Sequence, residues 1–403
     1  MEPHHGPARP KDLLSENRAG LIGAVLVAIG PVSMALYTPA MPAIALTYGV
    51  SASAVKATLT AYFGGFALAQ LVAGPLSDAL GRRPVTLAFL GIYLAASLAG
   101  VFAPSIEVLL AARLLQGIGA AVGVVISRAM VRDLFDEARG ARIMNLVGII
   151  LAVAPAMAPT LGGMMLAWTS WHSIFYLMIG YGVIVVVLVM ALLPETVERD
   201  LARLRPMAVL RSYMTLLASP AFLFSALTLS GAVGALYAQA TILPFLLMQH
   251  VGLSPAGFGL AMLLQTGSFF IGALLARRAF RIGRAGLLVP AGLVLIVVAS
   301  LAIVAIQAIW PPTLAGIMGP VALYACGIAF VMPGMTAAAL RPFPRIAGSA
   351  SALSGFLQMG TGFLGGTIAA MIGDPPLAMA IVVPSIGIAS ALSWLAWRRV
   401  SGA

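Results

Sequence analysis

The chain has 403 residues, of which 61% are hydrophobic and 9% are charged, and its formal net charge is +11. Soluble domains carry about 25% charged residues, so this composition excludes a water-soluble globular protein. The basic residues occur in small groups along the whole chain, which argues against one nucleic-acid-binding stripe. The single cysteine, Cys326, excludes an internal disulfide and a thiolate metal cluster. We therefore predict an integral membrane protein that contacts the lipid bilayer, with no nucleic-acid partner, no cofactor and no metal.

Apolar runs long enough to cross a membrane recur from one end of the sequence to the other. A helical span needs about 20 mainly apolar residues, and twelve runs meet this requirement. These runs are longer than barrel strands and lack the alternating pattern of a membrane barrel. We predict an all-α integral membrane protein with twelve transmembrane helices. The predicted spans are 20–41, 53–76, 84–103, 106–127, 143–167, 172–193, 220–245, 256–276, 286–309, 313–336, 347–372 and 376–397.

The basic residues predict how these spans are oriented. If the N-terminus is cytoplasmic, 21 of the 23 lysines and arginines fall in cytoplasmic loops and tails, and only Lys56 and Arg113 do not. Shifting the topology by one helix would reverse nearly every loop and violate the positive-inside rule. We therefore expect both termini in the cytoplasm. The first run has no evident small-residue cleavage site, so we interpret it as a retained helix and not as a signal peptide.

Two motifs occur twice, which predicts two pseudo-symmetric six-helix halves. Residues 158–163 recur as residues 361–366 at an offset of 203, and the segment beginning at Gly74 recurs at Gly272 at an offset of 198. Repeats of this kind are typical of alternating-access transporters, which hold substrate near the midplane between the halves. The predicted segments are a cytoplasmic tail 1–19, a first half 20–193, a cytoplasmic linker 194–219, a second half 220–397 and a cytoplasmic tail 398–403.

The joint between the second and third spans is the most informative short motif. It combines a Gly-Pro break, one carboxylate and an arginine pair between two apolar runs. The carboxylate of Asp78 can pair with Arg82 or Arg83 and tie the helix ends together when the cytoplasmic side is closed. An exposed ion pair contributes only about 0–1 kcal/mol, so a latch requires partial burial or a helix N-terminus as a further partner. The alternative is that the arginines only set topology. The gate motif comprises Gly74, Asp78, Gly81, Arg82 and Arg83.

Arg113 is the strongest single candidate for a functional residue. It lies in the fourth span, about 10 Å below the outer end at 1.5 Å per residue. A cation at that depth costs several kcal/mol unless it faces a wet cavity or a partner. Gln116, Gly117 and Ala120 follow on one helical face, which we expect to line a central cavity. The alternative is an arginine that bonds backbone carbonyls and stabilises helix packing.

Together these motifs resemble the major facilitator superfamily. The joint from Gly74 to Arg83 is similar to that family's signature between helices 2 and 3, and residues 113–117 are similar to its helix-4 motif. Residues 37–42, 128–134 and 347–358 resemble the Bcr/CflA-like multidrug exporters, a drug:proton antiporter branch. The resemblance covers essentially the whole chain. It implies a multi-pass transporter of the bacterial inner membrane, acting as a monomer on a small-molecule substrate in exchange for protons.

The fifth span carries small residues and prolines that resemble the helix-5 motif of drug exporters. Ala158 replaces the usual glycine before the second proline. The resemblance implies a rocking and sealing surface that prevents ion leakage when one gate opens. Ordinary small-residue packing is the equally open alternative. The motif residues are Gly148, Pro155, Pro159, Gly162 and Gly163.

The chain departs from its relatives in the residue that would carry a proton. Members of this branch have an aspartate in helix 1, two positions before the tyrosine matching Tyr37, and this chain has Ala35 there. Arginine stays charged throughout a transport cycle, so Arg113 cannot carry the proton. Glu107 is the remaining acid nearest the expected cavity, although it falls on a different helical face from Arg113. Proton coupling is thus implied by the resemblance and lacks its usual residue.

Aromatic and amide side chains at helical spacing are candidates for a substrate cavity. Aromatics with amides and no acid suit a lipophilic neutral or anionic compound better than a dication, because nothing offsets a buried positive charge. Each aromatic has helix packing as its alternative role, whereas an amide in mid-span must find a partner. The candidate substrate-binding residues are Tyr37, Tyr62, Phe66, Gln70, Tyr237, Gln239, Gln265, Phe269 and Gln358.

We predict a secondary active transporter that exports small lipophilic drugs or antibiotics by alternating access. The alternative is a major facilitator transporter of one metabolite, such as a sugar, amino acid or siderophore, without obligatory proton coupling. A membrane enzyme is disfavoured because the histidines lie near helix ends or in the N-terminal tail, away from any nucleophile or metal cluster. The sequence has no P-loop, which argues against direct ATP drive.

Overall fold

The computed structural model describes residues 14–200 and 206–402, and every regular element in these ranges is helical. Within the seventh helix, the side chains of residues 137, 138, 141, 145 and 148–156 are outside the described part of the chain. The helices are α1 (Glu16–Tyr37), α2 (Met41–Tyr48), α3 (Ala52–Leu80), α4 (Arg82–Val101), α5 (Ile106–Ala120), α6 (Val122–Leu134), α7 (Glu137–Leu166), α8 (His172–Leu192), α9 (Pro206–Leu217), α10 (Pro220–Phe245), α11 (Pro255–Arg281), α12 (Leu288–Ile309), α13 (Leu314–Leu340), α14 (Ala347–Ile372) and α15 (Pro375–Ser401).

The all-helical membrane fold predicted from composition is confirmed. Eleven stretches of the described chain are long and apolar enough to cross a membrane, and α7, with 30 residues, is a further long helix. The first stretch runs from Glu16 to Tyr48 and combines α1 and α2. A short 3₁₀ turn over Thr38–Ala40 separates these two helices, because the proline at position 39 cannot donate a helical hydrogen bond.

Several helices begin at a side-chain cap, which explains why the apolar runs start where they do. Ser51, Ser219, Ser254 and Asp374 each accept a hydrogen bond from the backbone N–H three residues later, at the start of α3, α10, α11 and α15. Such caps satisfy backbone donors that a helix N-terminus leaves unpaired. Polar residues therefore mark the helix ends, and apolar residues fill the lengths between them.

Two large hydrophobic cores organise the bundle. One lies among α1–α8, and three residues of later helices, Ala240, Phe245 and Met359, also join it. The other lies among α10–α15. We call these two sets of helices the first half and the second half. A smaller cluster joins Leu216 of α9 to Phe222 and Leu353 of the second half, so α9 packs beneath the junction of the halves.

The two ends of the bundle differ in chemistry. At one end Glu16 accepts from Arg139 and Arg142, at 2.6 and 3.2 Å, and the joint from Gly74 to Arg83 lies at the same end. We call this the basic end. At the opposite end, the Tyr48 hydroxyl donates to the carbonyl of Ala103 at 2.7 Å. Residues 1–13 of the predicted N-terminal tail and 201–205 of the predicted linker lie outside the described residues.

Candidate functional site

The joint between α3 and α4 depends on a glycine at position 81. Gly81 has φ of +100°, a conformation that side chains with a Cβ rarely adopt. A Cβ added there would lie 2.6 Å from Oε2 of Glu195. At the start of the joint, the Ser77 hydroxyl donates to the carbonyl of Gly74 at 2.8 Å. Gly81 is therefore required both for the turn and for the approach of Glu195.

Glu195 caps the first turn of α4, a role that the sequence did not indicate. Its carboxylate accepts hydrogen bonds from the backbone N–H groups of Arg82 and Arg83, at 2.8 and 3.1 Å. A negative charge at a helix N-terminus is stabilised by the unpaired donors and by the helix dipole. The only sequence signal was the presence of Glu195 in the polar joint that follows the sixth span. More than 100 residues separate the carboxylate from the turn it caps.

The arginine pair of the joint has two different sets of partners. Arg82 is almost fully buried and bonds Asp78 at 2.5 Å and Asp133 at 3.0 Å. Arg83 donates instead to the carbonyl of Met190 at 2.7 Å. The pair predicted as Asp78 with either arginine is thus Asp78 with Arg82. All of these partners belong to the first half, so the cluster ties the ends of α3, α4, α6 and α8 together.

Asp78 does not bond the second half in this conformation. Its side chain is 50% exposed, and among the described residues no hydrogen bond or ion pair joins it to α14. The carboxylate lines a cavity between the halves. Within the described residues, Asp78 therefore ties helix ends of the first half together and does not link the two halves.

Arg113 is fully buried between two tyrosine rings. The central carbon of its guanidinium lies 4.2 Å from the ring centre of Tyr37 and 4.4 Å from that of Tyr62. One nitrogen donates to the Gln116 side-chain oxygen. The Nε and Nη2 groups have no hydrogen-bond partner among the described residues. The charge is therefore compensated by ring faces and one amide, without a carboxylate.

Gln116 points in a direction that differs from the sequence expectation. Its amide nitrogen donates to the Ser97 hydroxyl of α4 at 2.7 Å and approaches the Met178 sulfur of α8 at 3.2 Å. The polar face of α5 therefore packs inside the first half, where hydrogen-bond partners are available, and does not open onto a central cavity. A Cβ at Gly117 would collide with the backbone of Tyr62. Gly117 thus allows α3 and α5 to pack backbone to backbone.

Among the described residues, no carboxylate bonds Arg113. Ala35, at the position where the resemblance implies an acid, lies buried in α1. Glu107 is exposed in the first turn of α5. No hydrogen bond or ion pair within the described ranges joins Glu107 to Arg113. In the part of the chain that the structure describes, the surroundings of the buried guanidinium therefore contain no residue that matches the proton carrier implied by the resemblance.

Three of the predicted substrate-binding residues are part of the first core. The Tyr37 hydroxyl bonds the Thr58 hydroxyl at 2.6 Å, and the Tyr62 hydroxyl donates to the carbonyl of Gly30 at 2.9 Å. Phe66 packs against Gly30, where a Cβ would lie 3.1 Å from the ring tip. These side chains hold α1 against α3 and position the two rings that flank the guanidinium.

The predicted glutamines are buried and only partly satisfied. Gln239 is 1% exposed, and neither atom of its amide has a partner in the described part of the chain. The side-chain oxygens of Gln70 and Gln265 also lack partners, whereas Gln358 donates to the carbonyl of Ser354 at 3.1 Å. Because buried amides are nearly always hydrogen-bonded, these groups are candidates for contact with a ligand or with water.

The two remaining predicted aromatics lie on the second half. Tyr237 packs against Phe63 of α3, with ring centres 5.5 Å apart and ring planes tilted by 44°, so it forms a contact between the halves. Phe269 packs at the edge of the second core. Tyr237 is therefore the predicted aromatic that lies most clearly at the junction where substrate would pass.

The halves are in close contact toward the opposite end. On one side, the Thr160 hydroxyl donates to the carbonyl of Gly259 at 2.9 Å, and a Cβ at Gly163 would collide with the backbone of Pro255. On the other side, the Lys56 ammonium donates to the carbonyls of Gly373 at 3.1 Å and Ala369 at 3.5 Å. Contacts α7–α11 and α3–α14 therefore seal this end.

The helix-5 motif contributes directly to that seal. The carbonyl of Pro159 lies 2.6 Å from a Cβ that would be added at Gly259, and a Cβ at Gly162 would lie 2.8 Å from the carbonyl of Leu36. Gly162 thus permits contact with α1 inside the first half, whereas Pro159 meets α11 across the junction. The surroundings of Gly148 and of the Pro155 ring lie outside the described part of the chain.

A cavity of about 360 Å³ lies between the halves at the basic end. Its walls come from α3 and α6 of the first half, from α14 and the turn before it, and from α9. It is the space that a compound entering from the basic end would meet. The polar residues that line it are Gln70, Asp78, Arg82, Arg128, Arg132, Ser212, Tyr213, Arg345, Ser349 and Ser351.

Comparison with known proteins identifies the family. A family model described as Major Facilitator Superfamily matches residues 23–366. The chain belongs to the Major Facilitator Superfamily. It is 33% identical over 367 residues to the uncharacterized MFS-type transporter YdgK of Bacillus subtilis, with 88% of each chain covered. It is 30% identical over 382 residues to multidrug resistance protein D of Escherichia coli, covering 93% of this chain and 94% of the relative.

A further relative and two solved structures are similar to this chain over nearly its whole length. Multidrug resistance protein MdtL of Salmonella paratyphi A is 31% identical over 373 residues, with 90% of each chain covered. The human organic anion transporter MFSD10 has a TM-score of 0.67 at 18% identity, covering 95% of this chain and 100% of that one. The nucleoside transporter NupG has a TM-score of 0.72 at 13% identity, with 96% and 99% covered. The chain is a multi-pass membrane transporter and not an enzyme.

Proposed function

We propose that this protein is a secondary active transporter that exports small lipophilic drugs or antibiotics across the bacterial inner membrane by alternating access. The observation that carries the proposal is the asymmetry of the junction between the halves. Toward the opposite end it is sealed by Lys56 and by the Gly163–Pro255 contact, and at the basic end it contains the 360 Å³ cavity. A transporter that is open to one side and closed to the other has this arrangement.

The distribution of charge supports a cytoplasmic location for the basic end. Arginines are concentrated there in the joints of both halves, as the positive-inside rule requires of cytoplasmic loops. The cavity would then be open toward the cytoplasm, which is the side from which an exporter collects its substrate. Two of the relatives are named multidrug resistance proteins, and the Bcr/CflA-like motifs point to the same branch.

Exchange for protons belongs to the same proposal and rests on the resemblance. Arg113 cannot gain and lose a proton in the working range, and the described residues place no carboxylate beside it. Asp78 is a candidate coupling acid because it is half-exposed in the cavity and bonded to Arg82. Glu107 is a second candidate at the start of α5.

Transport of one metabolite is the second candidate function. It is favoured by the buried amides of Gln239, both of whose atoms lack partners in the described chain, and of Gln265, whose side-chain oxygen lacks one. Amides that must be satisfied by a ligand suit a substrate rich in hydroxyl or amino groups, such as a sugar or an amino acid. A lipophilic drug would leave these amides unpaired.

Transport by purified protein in liposomes tests the proposal. We expect a panel of lipophilic fluorescent compounds and antibiotics to accumulate when the lumen is acidic, and accumulation to stop when an ionophore collapses the gradient. Liposomes without protein are the control. Accumulation of only labelled sugars or amino acids would replace drug export by the second candidate. Drug movement without any response to the gradient would remove proton exchange.

A further inference from the structure

The cavity at the basic end carries an excess of positive charge. Four arginines line it, Arg82, Arg128, Arg132 and Arg345, together with a single carboxylate, Asp78. Arg82 is neutralised by Asp78 and Asp133, at 2.5 and 3.0 Å, and Arg132 lies 3.6 Å from Asp133. Two guanidinium groups of the cavity therefore have no carboxylate partner among the described residues.

These two arginines approach the same helix start. Arg128 reaches across the junction from α6 and donates to the hydroxyl of Ser351, in the first turns of α14. Arg345 lies in the 3₁₀ turn of residues 344–346 that leads into α14, and it has no hydrogen bond or ion pair within the described chain. The N-terminus of α14 has no side-chain cap. Unpaired backbone donors at a helix start favour an anion.

The rest of the cavity is suited to an apolar body. Val124, Val125 and Ala129 of α6 face Ile346 and Ala352 across it. Helix α9 forms a fixed wall, because the Tyr213 hydroxyl donates to the carbonyl of Leu71 at 2.7 Å.

Deeper in the same cavity, Gln70 offers an amide with an unsatisfied oxygen. Gln70 is 5% exposed, and its side-chain oxygen has no partner in the described chain. This amide can bond a polar group on the body of a ligand.

We propose that this cavity is a binding site for the anionic group of an amphiphilic compound, with Arg128 and Arg345 binding a carboxylate, phosphate or sulfonate at the start of α14. The proposal rests on the proposed export function, since it names the substrate class that the cavity would collect. A volume of about 360 Å³ is within the range of small-molecule sites. The same anionic chemistry could come from a soluble amphiphile or from a lipid headgroup.

Two matched fluorescent probes test the charge preference directly. Anilinonaphthalene sulfonate and phenylnaphthylamine share an aromatic body, and only the first carries a negative charge. Binding is measured by titration into protein held in nanodiscs of phosphatidylcholine, with empty nanodiscs subtracted. We expect the wild-type protein to bind the sulfonate at least about tenfold more tightly than the neutral probe, because charge-assisted bonds are the stronger ones.

Four variants assign that preference to the cavity. Arg128→Gln and Arg345→Gln should each reduce it, and the double variant should abolish it. Arg284→Gln removes an arginine that does not line the cavity and should leave binding unchanged. Equal binding of the two probes by the wild type, or a preference that survives the double substitution, would overturn the proposal.

Nanodiscs that contain phosphatidylglycerol, and separate titrations with inorganic phosphate, identify the source of the anion. Displacement of the sulfonate by phosphatidylglycerol assigns the site to a lipid headgroup. Displacement by inorganic phosphate alone assigns it to a soluble anion.

The anion site and the export function can fail separately. If wild-type protein binds both probes equally but still exports phenylnaphthylamine from liposomes, the anion site is rejected and the export function is retained. If no compound is exported but the protein still prefers the sulfonate probe, the export function is rejected and the anion site is retained.

Discussion

Replacing Arg113 by methionine should abolish transport while leaving the stability of the protein nearly unchanged. The guanidinium lies 4.2 and 4.4 Å from two ring centres. Each ring contributes about 0.5–2 kcal/mol, and the bond to Gln116 contributes about 1.5–3 kcal/mol. Burial of a cation without a carboxylate costs several kcal/mol. These terms cancel to within a few kcal/mol, so replacement by methionine, which is shorter and apolar, should cost little stability.

Function should respond differently, because a methionine cannot supply the charge or the two donors that lack partners, Nε and Nη2. We expect transport by Arg113→Met to fall at least about a hundredfold, which is the loss of about 2.7 kcal/mol. Arg113→Lys keeps the charge without the planar group and should retain partial activity. Arg399→Met, at the exposed end of α15, is the matched control.

Transport in liposomes and thermal unfolding in detergent are measured on the same preparations. Full transport by Arg113→Met would show that Arg113 only packs helices, which is the alternative left open by the sequence. A large drop in the unfolding temperature of this variant would show that the rings and Gln116 outweigh the cost of burial. Either result would refute the reasoning about this site.

Two further predictions concern backbone contacts. Glu195→Gln should lower stability by about 1 kcal/mol, because a neutral amide is a weaker cap for α4. Thermal unfolding measures this change. Glu198→Gln is the matched control and should have no effect, because Glu198 caps no helix among the described residues. Gly163→Ala should separate α7 from α11 and reduce transport, because the added Cβ would lie 2.8 Å from the Pro255 carbonyl carbon. Gly180→Ala has no atom within 4 Å of the new Cβ, so normal transport in Gly163→Ala, or an equal loss in both variants, would contradict the proposed contact.

The helices themselves were predictable from the sequence, and several bounds agree closely. The predicted spans 220–245 and 347–372 correspond to α10 and α14, and 172–193 differs from α8 by one residue. The membrane imposes this regularity, because a span must be helical, apolar and of a set length. Caps and prolines then mark where each span begins and ends.

The direction in which polar side chains point could not be predicted in the same way. Gln116 bonds Ser97 and Met178 within the first half, although its spacing from Arg113 suggested a cavity face. In a helix that is apolar on all sides, the sequence does not distinguish a face toward neighbouring helices from a face toward a central space. The partners of Gln116 come from two helices that are distant along the chain.

Long-range contacts were missed for the same reason. Glu195 caps a helix start more than 100 residues before it, and Lys56 bonds α14 more than 300 residues after it. The sequence places Lys56 at the start of the predicted span 53–76, as an exception to the charge rule, and assigns it no role. Its two partners are backbone carbonyl groups, so the pattern of side chains in the sequence does not indicate them.

A reversible crosslink between the halves tests the central claim of alternating access most directly. A Cβ added at Gly366 would lie 3.5 Å from the Cβ of Thr60, which is within the range of about 3.5–4.5 Å for disulfides. We therefore choose Thr60→Cys with Gly366→Cys, in a Cys326→Ser background. Oxidation should stop transport by locking the seal between α3 and α14, and reduction should restore it, while probe binding from the basic end persists in both states. Undiminished transport by the oxidised, crosslinked protein would contradict the account.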